Sequence, residues 1–403
     1  MITKLFIENY RSIQKAELPL GKINVLTGAN NSGKSSVLYA ALTLKSLVSN
    51  PNRSLDAILT LPFINFGGFE QIVHLKDEEE SIKIGCEISS DESFAPAQYH
   101  SVFGIKSSQL IFSGGYTSPE LLKLDVEFPY PANKTAIMNH GIGHAGKLAI
   151  TWNGFNAETR MIALPINEGS MPDPKLNDIY INSSINQINK IDFTPNRRGF
   201  TQAFFGAVPL QSQITTEEEI ATLIATDRDL ESAMAFYLEK IVDRSFQVRF
   251  TIGTSNFYLQ TRDKNTGFTT DLVNEGSGIN QLVTILAKTL KKGSDFICID
   301  EPEIHLHPTY ISRLAKVLVE IAENEGKQFL LSTHSEHLVS SLLNLLITKD
   351  LKPDDLKVFY CSKPKKETLI ELQEVNDKGQ IEGGFKSFID AEMEITKTFF
   401  KIK

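Results

Sequence analysis

Short apolar runs alternate with segments of helical spacing at both ends of the chain. Near the N-terminus, Leu5–Ile7 and Ile23–Leu26 predict strands, and the apolar stretch over residues 37–48 predicts a buried helix. Towards the C-terminus the pattern predicts two further strands, at residues 296–299 and 328–332, and three helices, at residues 279–290, 310–323 and 336–347. Alternating strands and helices are typical of an α/β sheet. We expect both ends of the chain to contribute to one sheet.

The middle of the chain, residues 46–270, has a different pattern, in which strand-like segments are separated by Gly, Asn, Asp and Pro. A helical pattern interrupts them over residues 218–242, and Thr215 and Glu218 have the spacing of a capping box at its start. Sustained heptads and fixed-period repeats are absent from the sequence, which argues against a long coiled coil and a repeat protein. The clearest strand segments are SIKIGCEIS, QLIFSGG, LKLDVEF, KLAITWNG and FQVRFTIG.

The composition is that of an ordinary globular protein, with 41% hydrophobic and 22% charged residues in a chain of 403. This length favours a main domain with a subsidiary one. The net charge of −8 gives no general positive field for nucleic acid, although a local basic patch is compatible with it. Three widely spaced cysteines suggest neither a zinc cluster nor a disulfide framework, which fits a reducing cytoplasm. The N-terminus has no signal-peptide pattern, and the chain has no apolar run of about 18 residues, so we expect no membrane span.

Residues 28–35, GANNSGKS, match the phosphate-loop pattern of two spaced glycines followed by Lys and Ser or Thr. Such a loop turns backbone N–H groups toward phosphate oxygens, and the following helix directs its positive end at them. Lys34 is expected to reach the β- and γ-phosphates of ATP, and the Ser35 hydroxyl to bind Mg²⁺. A chance glycine-rich turn is the alternative, and the flanking strand and helix argue against it. The predicted nucleotide-binding residues of the loop are Gly28, Asn30, Asn31, Ser32, Gly33, Lys34, Ser35 and Ser36.

Two acidic residues, Asp300 and Glu301, follow the apolar run Phe296–Ile299. A carboxylate at the C-terminal edge of a buried parallel strand lies where ligands bind in open α/β sheets. Asp300 is expected to hold the Mg²⁺ shell, and Glu301 to polarise the attacking water. Taken alone, the pair could equally be a solvated strand end. The phosphate loop upstream favours the catalytic interpretation.

These motifs resemble those of a known group of ATPases. The opening IENYRSI, followed by INVLTGANNSGKSSVL, resembles the start of ABC-type ATPases of the OLD, RecF and SMC group. The segment ICIDEPEIHLHP resembles the second acidic motif of this group. FLLSTHSEHLV places His334 where ABC ATPases carry a histidine after the next strand. NEGSGINQLVTIL, residues 274–286, matches the ABC signature more loosely, and departs from it in order and spacing.

The resemblance implies a fold and a mechanism. The fold is a P-loop NTPase of the ABC/RecF head type, with an ATPase core at residues 1–45 and 271–403. A β-rich insertion at residues 46–270, with a helical segment near residues 215–243, separates the phosphate loop from the signature. In this group two heads sandwich two nucleotides, which implies a homodimer or higher homo-oligomer with composite ATP sites.

The resemblance also assigns roles to single residues. Ser277 and Gly278 of the signature would face the nucleotide bound by the partner head, and Gln281 belongs to the same looser match. His334 would contact the γ-phosphate or the attacking water. Arg11 resembles an N-terminal arginine that contacts nucleotide, with a surface arginine as an equal alternative. Gln71 is a weak candidate for the glutamine that senses Mg²⁺.

Three smaller features can each be explained by an ordinary structural role or by a functional one. His305 and His307 could suggest a metal pair, but no third ligand is near in sequence, and the resemblance places them in a loop at the dimer interface. Arg197 and Arg198 could contact a phosphate or a partner, or form a solvated basic turn. A solvated loop is the better explanation of the small basic cluster formed by Lys363, Lys365 and Lys366.

The architecture resembles the stand-alone ATPase subunits of two-gene anti-phage systems such as PARIS and Septu. The first hypothesis is therefore an ATPase sensor or switch that controls a separately encoded effector, such as a nuclease. The stretch after His334 is too short for the Toprim nuclease domain that OLD proteins carry, so we expect no nuclease site in this chain.

Two other functions share the same chemistry. A RecF-like repair ATPase would clamp DNA, and the acidic balance counts against it without excluding nucleic acid as a partner. Salt-dependent DNA binding would favour it. An ABC transporter subunit is disfavoured by the RecF-like opening and the diverged signature, and co-purification with a membrane protein would revive it.

Overall fold

The computed structural model describes residues 1–49, 55, 59–61, 63–89, 95–115, 120–127, 134–139, 146–152, 157–163, 181–211, 213–376 and 379–381. The strands are β1 (Ile2–Tyr10), β2 (Ile13–Pro19), β3 (Ile23–Thr27), β4 (Thr60–Leu61), β5 (Ile64–Asn65), β6 (Ile82–Ile88), β7 (Ala95–Phe103), β8 (Ser107–Gly115), β9 (Glu120–Glu127), β10 (Lys134–Asn139), β11 (Gly146–Trp152), β12 (Ala157–Ala163), β13 (Ile191–Thr194), β14 (Phe205–Gly206), β15 (Arg244–Phe250), β16 (Asn256–Asp263), β17 (Thr269–Asp271), β18 (Phe296–Asp300), β19 (Gln328–Ser332), β20 (Leu356–Ser362) and β21 (Leu369–Gln373). The helices are α1 (Lys34–Val48), α2 (Ile181–Asn189), α3 (Glu217–Thr226), α4 (Arg228–Val242), α5 (Ser277–Leu290), α6 (Pro308–Asn324) and α7 (Glu336–Ile347).

The chain divides into two compact units, each formed by several segments. The first contains residues 1–20, 31–191 and 361–370, and the second contains residues 21–30, 192–360 and 371–403. Compactness therefore divides the chain differently from the ATPase core and insertion proposed from the sequence, and those functional boundaries stay a prediction.

The first unit is built on an antiparallel sheet with the order β2-β1-β6-β7-β8-β9. A separate three-stranded sheet has the order β10-β11-β12. Helix α1 contacts β1 and β6, and its Leu- and Ala-rich sequence buries most of its side chains. The hydroxyl groups of Tyr10 and Thr43 lie 3.1 Å apart and link β1 to α1 inside the core.

The second unit is built on a sheet with the order β13-β18-β19-β3-β20-β21. Strands β18, β19, β3 and β20 run parallel, and every residue of β18, β19 and β3 is buried. A strand buried on both faces favours a nearly continuous apolar run, which is the pattern seen at residues 296–299 and 329–331. The expectation that both ends of the chain share one sheet is confirmed.

Helices α4, α5, α6 and α7 belong to this unit, and α6 packs on both α4 and α7. A smaller antiparallel sheet, β14-β16-β15 with β17 beside β16, packs on α4 through β15. Among the described residues, no helix combines the length and apolar character needed to cross a membrane.

The predicted helix over residues 218–242 is two helices, because Asp227 ends α3 and its carboxylate then accepts a hydrogen bond from the Leu230 N–H at the start of α4. The predicted capping box was also wrong by one residue. The cap is Thr216, paired with Glu219, and both reciprocal hydrogen bonds are present. Pro308 opens α6, because a missing N–H costs nothing in the first turn of a helix.

Candidate functional site

The phosphate loop follows β3 through a series of left-handed backbone positions. Gly28 has a φ of 140°, Asn31 of 63° and Gly33 of 100°. Glycine adopts such angles without a Cβ penalty, and asparagine is among the residues that best tolerate them. Helix α1 then begins at Lys34, and the Ser36 N–H donates to the Gly33 carbonyl at 3.0 Å.

The loop residues of the first unit fit a phosphate. The Ser32 hydroxyl is buried, and it has no hydrogen-bond partner among the described residues. The N-cap of α1, Gly33, supplies no side-chain cap, so no N-cap side chain competes with an anion at the helix N-terminus. A Cβ on Gly33 would lie 2.3 Å from the Thr368 hydroxyl oxygen, so only glycine fits there. Lys34 and Ser36 are both buried.

The acidic pair lies at the carboxyl edge of the parallel sheet in the second unit. Asp300 ends β18 beside Ser332 of β19, and Ser332 in turn lies beside Leu26 of β3. Asp300 is therefore two strands from Leu26, at the edge where Gly28 begins the phosphate loop. Asp300 is only 5% exposed, and the Ser332 hydroxyl donates to its Oδ1.

Glu301 occupies a left-handed position with a φ of 50°. Its N–H donates to the Ser332 carbonyl at 3.0 Å. Its Oε1 lies 3.2 Å from Nε2 of His334. The structure therefore brings together Asp300, Glu301 and His334, which the sequence predicted separately. A non-glycine residue with positive φ costs conformational energy and is enriched at functional sites.

A third acidic residue, Glu303, supports the His334 loop and was missed by the sequence analysis. Its Oε1 accepts hydrogen bonds from the Thr333 hydroxyl at 2.5 Å and from the His334 N–H at 3.2 Å. Its Oε2 is buried without a hydrogen-bond partner in the described part of the chain. Burial raises the pKa of the Glu303 carboxyl. Its place two residues after Glu301 in the DEPE sequence was the available signal.

The interpretation of the basic turn as solvated was wrong for one of its two arginines. Arg197 is exposed, but the Arg198 guanidinium donates three hydrogen bonds of 2.8 Å to backbone carbonyls. Two of those carbonyls belong to Asp300 and Glu301. The acidic pair at residues 300 and 301 and the turn at residues 195–201 are therefore directly linked.

The signature segment forms the start of α5. Ser277 is its first residue and is exposed, and Gly276 is its N-cap. Gly278 is buried, and a Cβ there would lie 2.5 Å from the His305 carbonyl oxygen. The close approach of this backbone explains why glycine occupies position 278. The Gln281 Oε1 is buried and, within the described residues, has no hydrogen-bond partner.

Arg11 lies in the turn between β1 and β2, with a φ of 54°. Its guanidinium carbon lies 5.4 Å from the ring centroids of both Tyr39 and Phe66. Its Nη1 is buried, and no described residue accepts a hydrogen bond from it. This is not the environment of a simple surface arginine, and nucleotide contact stays a prediction. Gln71 ends a short 3-10 helix and is exposed.

His305 and His307 gain no third ligand, because no group of three His, Cys, Asp or Glu side chains could hold a metal among the described residues. His307 instead caps α6, accepting at Nδ1 from the Thr309 N–H at 3.3 Å. Lys365 and Lys366 are exposed and Lys363 is half-buried, in keeping with a solvated loop.

The chain is similar in sequence to a family of ATPases and to two nucleases. A family model described as AAA ATPase domain matches residues 1–339. The OLD nuclease of Thermus scotoductus is 23% identical over 352 residues, which are 83% of this chain and 59% of that protein. The Old nuclease of Escherichia phage P2 is 43% identical over 51 residues, which are 13% of this chain and 8% of that protein. The chain thus spans less than two thirds of the length of both curated relatives.

Among solved structures, the Smc head bound to the C-winged helix domain of ScpA is similar, with a TM-score of 0.50 at 12% identity. The similarity covers 93% of this chain and 98% of that one. It shows the P-loop ATPase fold of the SMC-head and ABC type, here a mixed α/β fold with several sheets, and the predicted fold class is confirmed. The chain belongs to the AAA ATPase domain family.

Proposed function

We propose that this chain binds Mg-ATP and hydrolyses it to ADP and phosphate, with Glu301 as general base. The observation that carries this proposal is the Glu301 carboxylate, on a left-handed position at the end of β18 and 3.2 Å from His334. A carboxylate held in this way is aimed by the backbone and by a side-chain partner, which general-base catalysis requires.

The roles of the remaining residues follow from the same proposal. Lys34 reaches the β- and γ-phosphates, while Ser35 and Asp300 hold Mg²⁺. When bound, Mg²⁺ neutralises the charge that develops on the phosphate oxygens. Glu301 accepts a proton from the attacking water, and His334 orients the Glu301 carboxylate. The uncapped N-terminus of α1 and the buried Ser32 hydroxyl support binding of a phosphate chain.

The biological role in this proposal is that of a switch. ATP binding closes two copies around two nucleotides, and hydrolysis opens them, so that the energy drives a conformational change. The switch controls a separately encoded effector, such as a nuclease, in anti-phage defence. The similarity to two OLD nucleases supports a link to nuclease activity. A RecF-like DNA clamp is the alternative, and the net charge of −8 weighs against it.

Replacement of Glu301 by Gln tests the catalytic proposal. E301Q removes the proton acceptor and keeps the shape of the side chain, so we expect hydrolysis to fall by roughly 10²- to 10⁴-fold while ATP binding persists. Release of phosphate and binding of a fluorescent ATP analogue measure the two properties separately. The matched control is E78Q, the same change at an exposed glutamate, which should leave both unchanged. Hydrolysis at the wild-type rate by E301Q would show that Glu301 is not the base.

A further inference from the structure

We propose that Arg198 is a positioning residue that aims the Glu301 carboxylate at the attacking water, by holding the carbonyl groups of the two peptide groups that flank the Glu301 Cα. This inference rests on the proposed ATPase function. It concerns a residue outside the phosphate loop, the acidic pair and the signature, and more than a hundred positions from Glu301 along the chain.

The contact is a fork on two consecutive carbonyls. Nη1 of Arg198 donates to the Asp300 carbonyl and Nη2 donates to the Glu301 carbonyl, both at 2.8 Å. Nη1 also donates to the Pro195 carbonyl at 2.8 Å, which ties the guanidinium to its own loop. A planar guanidinium fixes both the position and the orientation of the two peptide groups that it contacts.

The two hydrogen bonds from Arg198 are important because Glu301 has an unusual backbone angle. At a φ of 50° the residue is in a region that L side chains seldom adopt, and relaxation toward ordinary strand angles would swing its Cα–Cβ bond. The Glu301 N–H is fixed on one side by the Ser332 carbonyl at 3.0 Å. Arg198 fixes the carbonyl on the other side. The two restraints together set the direction of the side chain, which is the direction that places Oε1 beside His334.

The free-energy cost of desolvating the Arg198 guanidinium is high for a residue that only supports a loop. Its Nε is buried and, among described residues, has no hydrogen-bond partner. Desolvating a charge is unfavourable unless it is paired well. The charge is retained here next to the acidic residues of the site.

The substitution R198K distinguishes a role in positioning Glu301 from a role in binding ATP. R198K keeps the charge but replaces the planar fork by an ammonium group, whose three N–H donors share one nitrogen and do not fix the plane of the two carbonyls. We expect the kcat for ATP hydrolysis to fall by roughly 10- to 100-fold. The dissociation constant of ATP should stay within about 2-fold of the wild type, because the Arg198 guanidinium donates to the Pro195, Asp300 and Glu301 carbonyls. R197K, the same change at the exposed neighbour, is the matched control and should leave kcat unchanged.

A double variant distinguishes positioning from general structural support. If Arg198 acts through Glu301, then R198K should cause little further loss of the residual activity in an E301Q background. A residue that only stabilises the fold would lower the activity of both backgrounds by the same factor. Circular dichroism and thermal melting establish that the variants are folded. If R198K does not fold, R198Q supports the same comparison, because its neutral amide donates hydrogen bonds without a buried charge.

The outcomes separate this inference from the proposed function. If the wild type does not hydrolyse ATP, both are overturned. If the wild type hydrolyses ATP and E301Q does not, while folded R198K retains wild-type kcat, only the role of Arg198 is overturned. Equal losses from R198K in the wild-type and E301Q backgrounds also overturn it. The role of Arg198 is supported if R198K lowers kcat in the wild-type background but not in the E301Q background, and leaves the affinity for ATP unchanged.

Discussion

His100 shows how much the burial of one side chain can control stability. It lies on β7 opposite Gly85 of β6, and a Cβ on Gly85 would lie 2.2 Å from its Nδ1. Its ring packs 4.8 Å from that of Phe6, and its Nδ1 is buried without a hydrogen-bond partner among the described residues. Burial, with a smaller influence from Lys83, lowers the pKa of His100 to about 4. The folded protein therefore keeps this imidazole neutral.

This pKa predicts a loss of stability in mild acid. Between the ordinary pKa of about 6.5 and the folded value of about 4, the unfolded chain binds more protons at His100 than the folded chain does. The free energy of unfolding should therefore fall as the pH falls through this range, by about 2 kcal/mol between pH 7 and pH 5 from His100 alone. H100Q removes the titrating group and should flatten the dependence. Urea unfolding of both proteins at the two pH values measures the difference, and identical slopes would refute the assignment.

The residues of the candidate site differ in how far the sequence revealed them. The phosphate loop and the acidic pair were recognisable because each is a short motif with fixed spacing next to an apolar strand. Arg198 and Glu303 were not, since their partners are defined by tertiary contact. Arg198 meets Asp300 across 102 positions of the chain, and no local pattern encodes that pairing. In the sequence, the segment around Arg198 does not differ from an ordinary solvated basic turn.

The N-cap of helix α3 is Thr216, one residue after the position that the sequence spacing indicated. Thr216 accepts from the Glu219 N–H at 3.2 Å, and the Glu219 carboxylate accepts from the Thr216 N–H at 3.1 Å. T216A removes one half of this capping box and should destabilise the protein by about 1 kcal/mol. The control is T215A, at the position that the sequence spacing indicated. Its hydroxyl makes only a long contact of 3.4 Å to Glu219, so its loss should cost less. Chemical unfolding measures both, and a larger effect of T215A would contradict the observed register.

The sequence predicted the type and approximate position of the elements that have a strong apolar pattern. It did not predict their exact first and last residues. Helices α5, α6 and α7 and strands β18 and β19 lie where the apolar pattern places them. The break at Asp227 escaped notice because the apolar spacing continues through it. What ends α3 is a local event, in which the Asp227 side chain accepts a hydrogen bond from the backbone of α4. Strand β13, at residues 191–194, joins the central sheet through pairing with β18, which the sequence does not indicate.

At the scale of the whole molecule, the sheet of the second unit collects strands from distant parts of the chain. Strand β3 lies between β19 and β20, so residues near the N-terminus pair with residues more than 300 positions later. The sequence allowed this to be predicted because both regions show apolar runs followed by candidate ligand-binding residues. The antiparallel sheet of the first unit was predicted only as a set of strands. Its order, β2-β1-β6-β7-β8-β9, depends on pairings that alternating patterns leave open.

ATP-dependent association is the prediction that belongs to this scale. Ser277 is exposed at the N-terminus of α5, beside the exposed Gly276. A helix N-terminus attracts phosphate, and an exposed one is accessible to a nucleotide carried by a second copy. Slow hydrolysis by E301Q should therefore trap a dimer in the presence of Mg-ATP. We expect its mass in solution to double on addition of ATP, as measured by light scattering after size exclusion.

Substitution of Ser277 by Arg makes the test specific. In the E301Q background, S277R places bulk and positive charge at the positive end of α5, and it should abolish the ATP-dependent doubling. S340R puts the same side chain at an exposed serine of α7 and should leave the doubling intact. If ATP is bound but the mass of E301Q never changes, nucleotide must act within a fixed assembly, and the dimerisation switch is wrong. If S277R and S340R both prevent doubling, the effect is one of surface charge, and α5 has no special part in it.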